Sequence, residues 1–309
     1  MIRTSALTKR FPGPKDGAAV LAVDRLDLQV EEGQVFGFLG PNGAGKTTTV
    51  RMLTCLVGPT SGEAWVNDLQ VGRQDTDIRR SVGILTETPG LYDNLSAEYN
   101  LQIYANLYEV ADPAGQVEKY LRMLGLWERR QDEAGTFSKG MKQKLAIARA
   151  LLHEPTILFL DEPTAGLDPE SARLVRDFVS ELRSEGRTIF LCTHNLDEAD
   201  RLCDRIAVFK TRLLVMDTPD HLRAQVFGRR VVFHLLNATP ELADQARQAP
   251  NVKAVQLVDN KLVLEIDNPD ANNPQVIRHL VNAGAEIQYV GELRRSLEDV
   301  YLQLVRNAE

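Results

Sequence analysis

The chain is 309 residues long, enough for two domains with cores of their own. Its hydrophobic fraction of 43% and charged fraction of 26% are those of a globular protein, and a net charge of −7 argues against a general nucleic-acid binder. No apolar run approaches the roughly 20 residues needed to cross a bilayer, and the first residues lack the long apolar core of a secretory signal. Cys55, Cys192 and Cys203 have no metal-binding spacing and read as reduced, mostly buried thiols of a cytosolic protein.

In chain order, Ile2–Phe11 and Leu21–Val30 alternate apolar and polar residues. They read as strands joined by the turn-rich loop Pro12-Gly13-Pro14-Lys15-Asp16-Gly17. The apolar run Val35-Phe36-Gly37-Phe38-Leu39 reads as a buried parallel strand, and Thr48–Val57 as a helix. Between them stands Gly40-Pro41-Asn42-Gly43-Ala44-Gly45-Lys46-Thr47-Thr48, which fits the G-x-x-x-x-G-K-[ST] phosphate-binding loop in the strand–loop–helix context that it needs. Glycines let backbone N–H groups crowd around phosphates, and the new helix adds its positive end. Lys46 is expected to reach the β- and γ-phosphates, and the Thr47 hydroxyl to hold Mg²⁺. Phe11, just before the first loop, either stacks on an adenine ring or closes the end of a strand core.

Glu63–Asn67 reads as a short strand, and Ser81–Leu85 as another that ends at Thr86-Glu87-Thr88-Pro89-Gly90. From Leu95 to Leu126 the period turns helical, with Leu101, Tyr104, Ala105 and Tyr108 on one face and Val117, Tyr120, Leu121 and Leu124 on another. This suggests a helical subdomain inserted into an α/β core. Phe137-Ser138-Lys139-Gly140-Met141 opens a further helix with Ser138 as its N-cap. Thr156–Leu160 then runs apolar into Asp161 and Glu162. Two carboxylates at the carboxyl end of a buried strand are costly without a task, and that edge is where open α/β sheets bind ligands. Asp161 suits Mg²⁺, and Glu162 can polarise an attacking water. Ala165-Gly166-Leu167-Asp168-Pro169 starts the next helix, and the strand Arg187–Cys192 delivers Thr193 and His194 to the same edge.

Ile206–Lys210 and Leu213–Asp217 read as a hairpin, and residues 218–228 as a linker helix. The texture then changes to strand Val231–Leu236, helix Pro240–Ala249, hairpin Val252–Val258 and Lys261–Ile266, helix Asn273–Ala283 and strand Glu286–Val290. A capped amphipathic helix, Ser296–Val305, follows. The β-α-β-β-α-β order is a ferredoxin-like unit without evident site chemistry.

The ordered set of motifs over about Ile2–Asp217 resembles the ATP-binding subunit of ABC transporters. Residues 40–48 match its phosphate loop and Phe11 its adenine-stacking aromatic. Phe137–Met141 match its signature, Ile157–Glu162 its Walker B strand, Ala165–Asp168 its D-loop and His194 its switch histidine. The last ~80 residues look like the C-terminal extension of daunorubicin-resistance-type exporter ATPases. Two residues depart from the pattern. Glu87 stands where the family usually has a glutamine that contacts Mg²⁺ and water, and Lys139 replaces the first signature glycine, pointing either to the γ-phosphate or to solvent.

The resemblance implies an α/β fold: a P-loop NTPase core with an antiparallel β subdomain and a helical subdomain (about 89–140), occupying 1–217. A linker at 218–228 and a small ferredoxin-like α+β C-terminal domain at 229–309 follow. It implies ATP and Mg²⁺ as ligands. ATP is held by Phe11, Asn42, Gly43, Gly45, Lys46, Thr47 and Thr48, and by Ser138 and Gly140 of a second copy in a head-to-tail homodimer. Thr47, Asp161 and Glu87 are the Mg²⁺ ligands, Glu162 and His194 the catalytic pair, and Asp168 a communicator across the dimer. It further implies an integral membrane permease as partner, a place on the cytoplasmic face of the membrane, and export of a drug, lipid or similar substrate. The alternative is a soluble ATPase of the same type acting on ribosomes or DNA. Single-cassette length and the absence of a long coiled-coil insertion disfavour it. A GTPase switch lacks its base-reading N-K-x-D.

Overall fold

The computed structural model describes residues 1–13, 17, 19–293 and 296–306. Pro14, Lys15 and Asp16 of the turn expected at Pro12–Gly17 lie outside the described residues. The chain divides into two compact units, Met1–Thr218 and Pro219–Glu309.

The first unit begins with β1 (Ile2–Phe11), β2 (Val20–Val30), β3 (Val35–Leu39), α1 (Lys46–Leu53), β4 (Ser61–Val66) and β5 (Leu69–Gln70). It continues through α2 (Asp75–Ser81), β6 (Val82–Leu85), α3 (Ala97–Leu107), α4 (Pro113–Met123), α5 (Lys139–Leu151) and β7 (Ile157–Asp161). It ends with α6 (Pro169–Ser184), β8 (Thr188–Thr193), α7 (Leu196–Leu202), β9 (Arg205–Lys210) and β10 (Arg212–Asp217). An antiparallel sheet runs β2-β1-β4-β5, and a second sheet runs β10-β9-β3-β8-β7-β6. From β9 to β6 the second sheet is parallel, with β10 added antiparallel at its edge.

Both faces of the parallel sheet are covered, which is why its strands read as apolar without a break. One face carries Phe36, Phe38, Phe159, Phe190 and Phe209, packed with Val50, Met52 and Leu53 of α1 and with the antiparallel sheet. Ring centroids there lie 4.7–5.5 Å apart in tilted pairs. The other face sets Leu85, Leu158 and Leu160 against Ile147 and Ala150 of α5 and Val175, Phe178, Val179 and Leu182 of α6. Burying each such side chain contributes about 1.5–3 kcal/mol.

Several helices start where short polar side chains accept the first free N–H groups. Ser96 accepts from Tyr99 N at 3.1 Å, Asp112 from Gly115 N at 3.0 Å and Asn195 from Glu198 N at 3.1 Å. Helix α2 is not evident in the sequence pattern. Its single buried residue, Ile78, leaves no apolar stripe to read, and its last residue, Ser81, falls in the span expected as strand.

The second unit runs α8 (Pro219–Phe227), β11 (Arg230–Leu235), α9 (Pro240–Gln248), β12 (Val252–Val258), β13 (Lys261–Ile266), α10 (Pro269–Asn282), β14 (Ile287–Glu292) and α11 (Leu297–Arg306). The antiparallel sheet order β12-β13-β11-β14 is that of the ferredoxin-like fold. Strict alternation on β11 and β13 turns Val231, Phe233, Leu235, Leu262, Leu264 and Ile266 to one side, where they pack with Ala243 and Ala246 of α9 and Val276 and Leu280 of α10. Helix α10 starts before the expected Asn273, at Pro269 in the first turn, and holds Pro274 inside. Ser296 and Asp299 cap α11 reciprocally, through Asp299 N to Ser296 Oγ at 3.1 Å and Ser296 N to Asp299 Oδ2 at 3.3 Å.

Glu154 ties the helical subdomain to the core from two sides. Glu154 accepts from Lys119 Nζ of α4 at 2.5 Å and from Arg187 Nη2, beside β8, at 2.5 Å. Burial raises the Glu154 carboxyl, but the hydrogen bonds from Lys119 and Arg187 outweigh it and hold the group at about 2. A folded-state value below the unfolded one contributes stability above about pH 4.5, lost as pH falls toward 2. Glu154→Gln is therefore expected to lower the melting temperature at pH 7 and to lose that difference progressively between pH 5 and pH 2, measured by thermal melts of both proteins.

Candidate active site

Parallel pairing sets the site. Leu39 is in register with Thr193, and Asp161 with Cys192, so β3, β7 and β8 end together at one edge. The loop after β3 is pressed against its neighbours. A Cβ on Gly40 would run into the Phe209 carbonyl, and one on Gly45 into the Ala22 carbonyl. Gly45 also has φ +103°, so its place favours glycine twice over. Helix α1 begins at the next residue, so its N-terminal end, with N–H groups that no preceding helical carbonyl takes, adjoins the loop.

Lys46 is 6% exposed and curls back, donating from Nζ to Gly40 O at 2.7 Å and Pro41 O at 3.3 Å. The Thr47 hydroxyl donates to Asp161 Oδ2 at 2.8 Å. Glu162 has φ +51°, a left-handed backbone rare for such a residue, and its N–H donates to Cys192 O at 2.8 Å. This conformation brings Glu162 Oε1 2.8 Å from His194 Nδ1 and 3.9 Å from Lys46 Nζ. His194 is the exposed member of that pair, with 58% of its side chain open against 11% for Glu162.

These groups line a cleft of about 370 Å³ formed by the loop from Pro41 to Thr48 with Glu87, Asp161, Glu162 and His194. Burial pushes the Asp161 carboxyl up; the Thr47 hydrogen bond and the Lys46 charge oppose it, and Glu162 and Glu87 add to it. A buried carboxylate beside a hydroxyl, with two further carboxylates around it, is an oxygen-only donor set of the kind a hard cation such as Mg²⁺ takes.

Of the residues that the sequence singles out, Asn42, Gly43, Gly45, Lys46, Thr47, Thr48, Glu87, Asp161, Glu162 and His194 share this cleft. Phe11, Ser138, Gly140 and Asp168 do not line it. Phe11 pairs with Val20 at the end of β1, 37% exposed, with the Lys9 ammonium 5.1 Å from its ring centre. Ser138 caps α5, accepting from Met141 N at 3.3 Å, and Asp168 caps α6, accepting from Ser171 N at 2.9 Å.

These last two helix starts are joined. A Cβ on Gly140 would meet Ser171 Oγ, and the buried Gln143 donates to Pro163 O at 2.8 Å. The Lys139 ammonium lies over Gly166, where it would meet any added Cβ. Thr193, which the sequence places at this edge, and Glu198, which no sequence motif marks, are both buried behind Glu162. The available signal was a glutamate sharing the inward face of α7 with Ala199 and Leu202.

Residues 23–165 match the family described as ABC transporter, and residues 218–305 match the DrrA1-3-like C-terminal domain of ATP-binding proteins. A fluoroquinolones export ATP-binding protein of Mycobacterium tuberculosis is 40% identical over 75% of this chain and 75% of its own. The bacitracin transport ATP-binding protein of Bacillus licheniformis is 34% identical over 99% of this chain and 97% of its own. The daunorubicin resistance ATP-binding protein DrrA2 of Streptomyces coeruleorubidus is 34% identical over 98% and 94%. Among solved structures, the dimeric post-hydrolysis ATP-binding cassette MJ0796 bound to ADP and phosphate aligns with a TM-score of 0.65 at 25% identity, over 71% of this chain and 98% of that one. With its phosphate loop, its carboxylate pair and its histidine gathered at one sheet edge, the chain belongs to the ABC transporter ATP-binding family and is an ATP-hydrolysing enzyme with a DrrA-like C-terminal domain.

Proposed function

We propose that the chain is the ATPase subunit of an exporter, in which two copies pair head to tail around ATP and drive a separate integral membrane permease from the cytoplasmic face. The observation that supports this most is the division of the motifs. Lys46, Thr47, Asp161, Glu162 and His194 line one cleft, whereas Ser138 and Gly140 stand at the start of another helix outside it. A second copy would bring its Ser138 and Gly140 over the first copy's cleft, with Asp168 at the joint. Among the described residues no helix is long and apolar enough to cross a membrane, which fits a permease on another chain. The relatives' names concern antibiotic export, transport or resistance, and a drug, lipid or similar molecule is the cargo in this reading.

The roles follow from the chemistry. Backbone N–H groups around Asn42, Gly43, Gly45 and Thr48 take phosphate oxygens, and Lys46 adds a charge-assisted bond once it leaves the Gly40 and Pro41 carbonyls. Thr47 and Asp161, with Glu87, would hold Mg²⁺, which offsets negative charge on the transferred phosphoryl group. Glu162 orients the attacking water and accepts its proton. His194 steadies Glu162 through Nδ1 and turns its exposed edge to the γ-phosphate. Phe11 stacks on the adenine. The Lys139 ammonium, against Gly166 in its own chain, has a structural place there.

Glu162→Gln is expected to lower turnover about 10²–10⁴-fold, the usual worth of an acid–base group, with ATP affinity kept. Phosphate-release assays and nucleotide titration read the two separately, and near-normal turnover rules out the role given to Glu162. Lys46→Ala and Gly45→Ala should both weaken ATP binding at least tenfold, whereas Gly58→Ala, where an added Cβ meets nothing within 4 Å, leaves it unchanged. Gentle detergent pull-down of the tagged chain from its native cells, read by mass spectrometry, tests the partner. A stoichiometric multi-span membrane protein is expected; ribosomal or DNA-repair proteins in its place overturn the exporter reading.

A further inference from the structure

Behind Glu162 lies a second carboxyl with no assigned task. Glu198, on α7, is 2% exposed, and Thr193, between it and the site, is fully buried. The Thr193 hydroxyl oxygen lies 3.1 Å from Glu198 Oε2 and 3.4 Å from Glu162 Oε2, and it accepts the Asn195 N–H at 3.0 Å. Glu198 Oε1 is buried with no hydrogen-bond partner among the described residues; the Thr164 hydroxyl beside the carboxyl favours its charged form.

A threonine hydroxyl has one proton to give. If Glu198 is ionised, it competes with Glu162 for that proton and keeps a buried charge with one oxygen unpaired, which is costly. If Glu198 carries a proton, the competition ends, and the unpartnered Oε1 is a neutral carbonyl oxygen, far cheaper to bury than a charge. Glu198 donates to Thr193, Thr193 donates to Glu162, and Glu162 retains Oε1 for His194.

We propose that Glu198 is a positioning residue for the hydrolytic carboxylate: as a neutral acid it donates to Thr193, which turns its own proton onto Glu162 Oε2. Glu162, held from two sides in its left-handed backbone, then presents a fixed carboxylate to the attacking water. The charged and titratable groups facing Glu198 are Glu162 across Thr193, Arg176 from α6 and the Cys203 thiol after α7. Burial and Glu162 favour the neutral form; Arg176 and the Thr164 and Thr193 hydroxyls oppose it, and the net direction is upward. The inference rests on the reading of Glu162 given above.

The test is the pH dependence of ATP hydrolysis by the full-length chain with Glu198→Gln, Glu198→Ala, Thr193→Val, Thr193→Ser and Glu162→Gln. Removing one oriented hydrogen bond is worth about tenfold. Thr193→Val and Glu198→Ala are each expected to lower kcat about tenfold with KM for ATP within twofold, and Thr193→Ser to recover most of it. Glu198→Gln, a permanent neutral donor, should extend the kcat plateau toward higher pH than the native chain. Wild-type kcat in both Thr193→Val and Glu198→Ala, a loss that falls on KM, or a Glu198→Gln profile that coincides with the native one overturns the proposal. Glu162→Gln separates the two layers: if it retains turnover, the reading of Glu162 fails. If it abolishes turnover while the Thr193 and Glu198 variants do not, only the positioning fails. Circular dichroism melts of each variant exclude loss of fold as the cause.

Discussion

The site depends on the register of three parallel strands. Because Leu39 pairs with Thr193 and Asp161 with Cys192, a glycine loop, a carboxylate pair and a histidine from distant parts of the chain end at one edge. The packing beneath enforces that register. Phe36, Phe38, Phe159, Phe190 and Phe209 form one tilted aromatic layer, and slipping any strand by one residue would turn its rings to the other face. The chemistry then sits on rigid elements. Lys46 opens a helix, Asp161 ends a strand, and Glu162 takes a backbone conformation fixed by a bond to the neighbouring strand.

Much of this was legible in the sequence because the constraints are local. Gly40 and Gly45 have to be glycine where the loop touches the Phe209 and Ala22 carbonyls, and the motif records that need. Serine, aspartate and asparagine mark the helix starts because each accepts an N–H three residues on. The alternation on β11 and β13 maps directly onto the buried face of the second unit.

What was not legible depends on contacts far apart in the chain. Glu198 has the look of an acidic residue favoured in any first helical turn, and only the fold reveals it as buried behind Glu162. Helix α2 buries one side chain, too few for a periodic signal, and α10 starts before a proline that a sequence reading takes as a boundary. The place of Lys139 could not be chosen from sequence, because Gly166, the residue it covers, belongs to a segment more than twenty positions away.

The central claim is that one chain carries half of each ATP site. Light scattering on size-exclusion chromatography of the Glu162→Gln chain, with and without saturating MgATP, tests it most directly. The account predicts a monomer without nucleotide and a doubled mass with ATP, lost again when Ser138 is also replaced by a bulky residue. A mass that ATP does not change, or a dimer indifferent to Ser138, would contradict it.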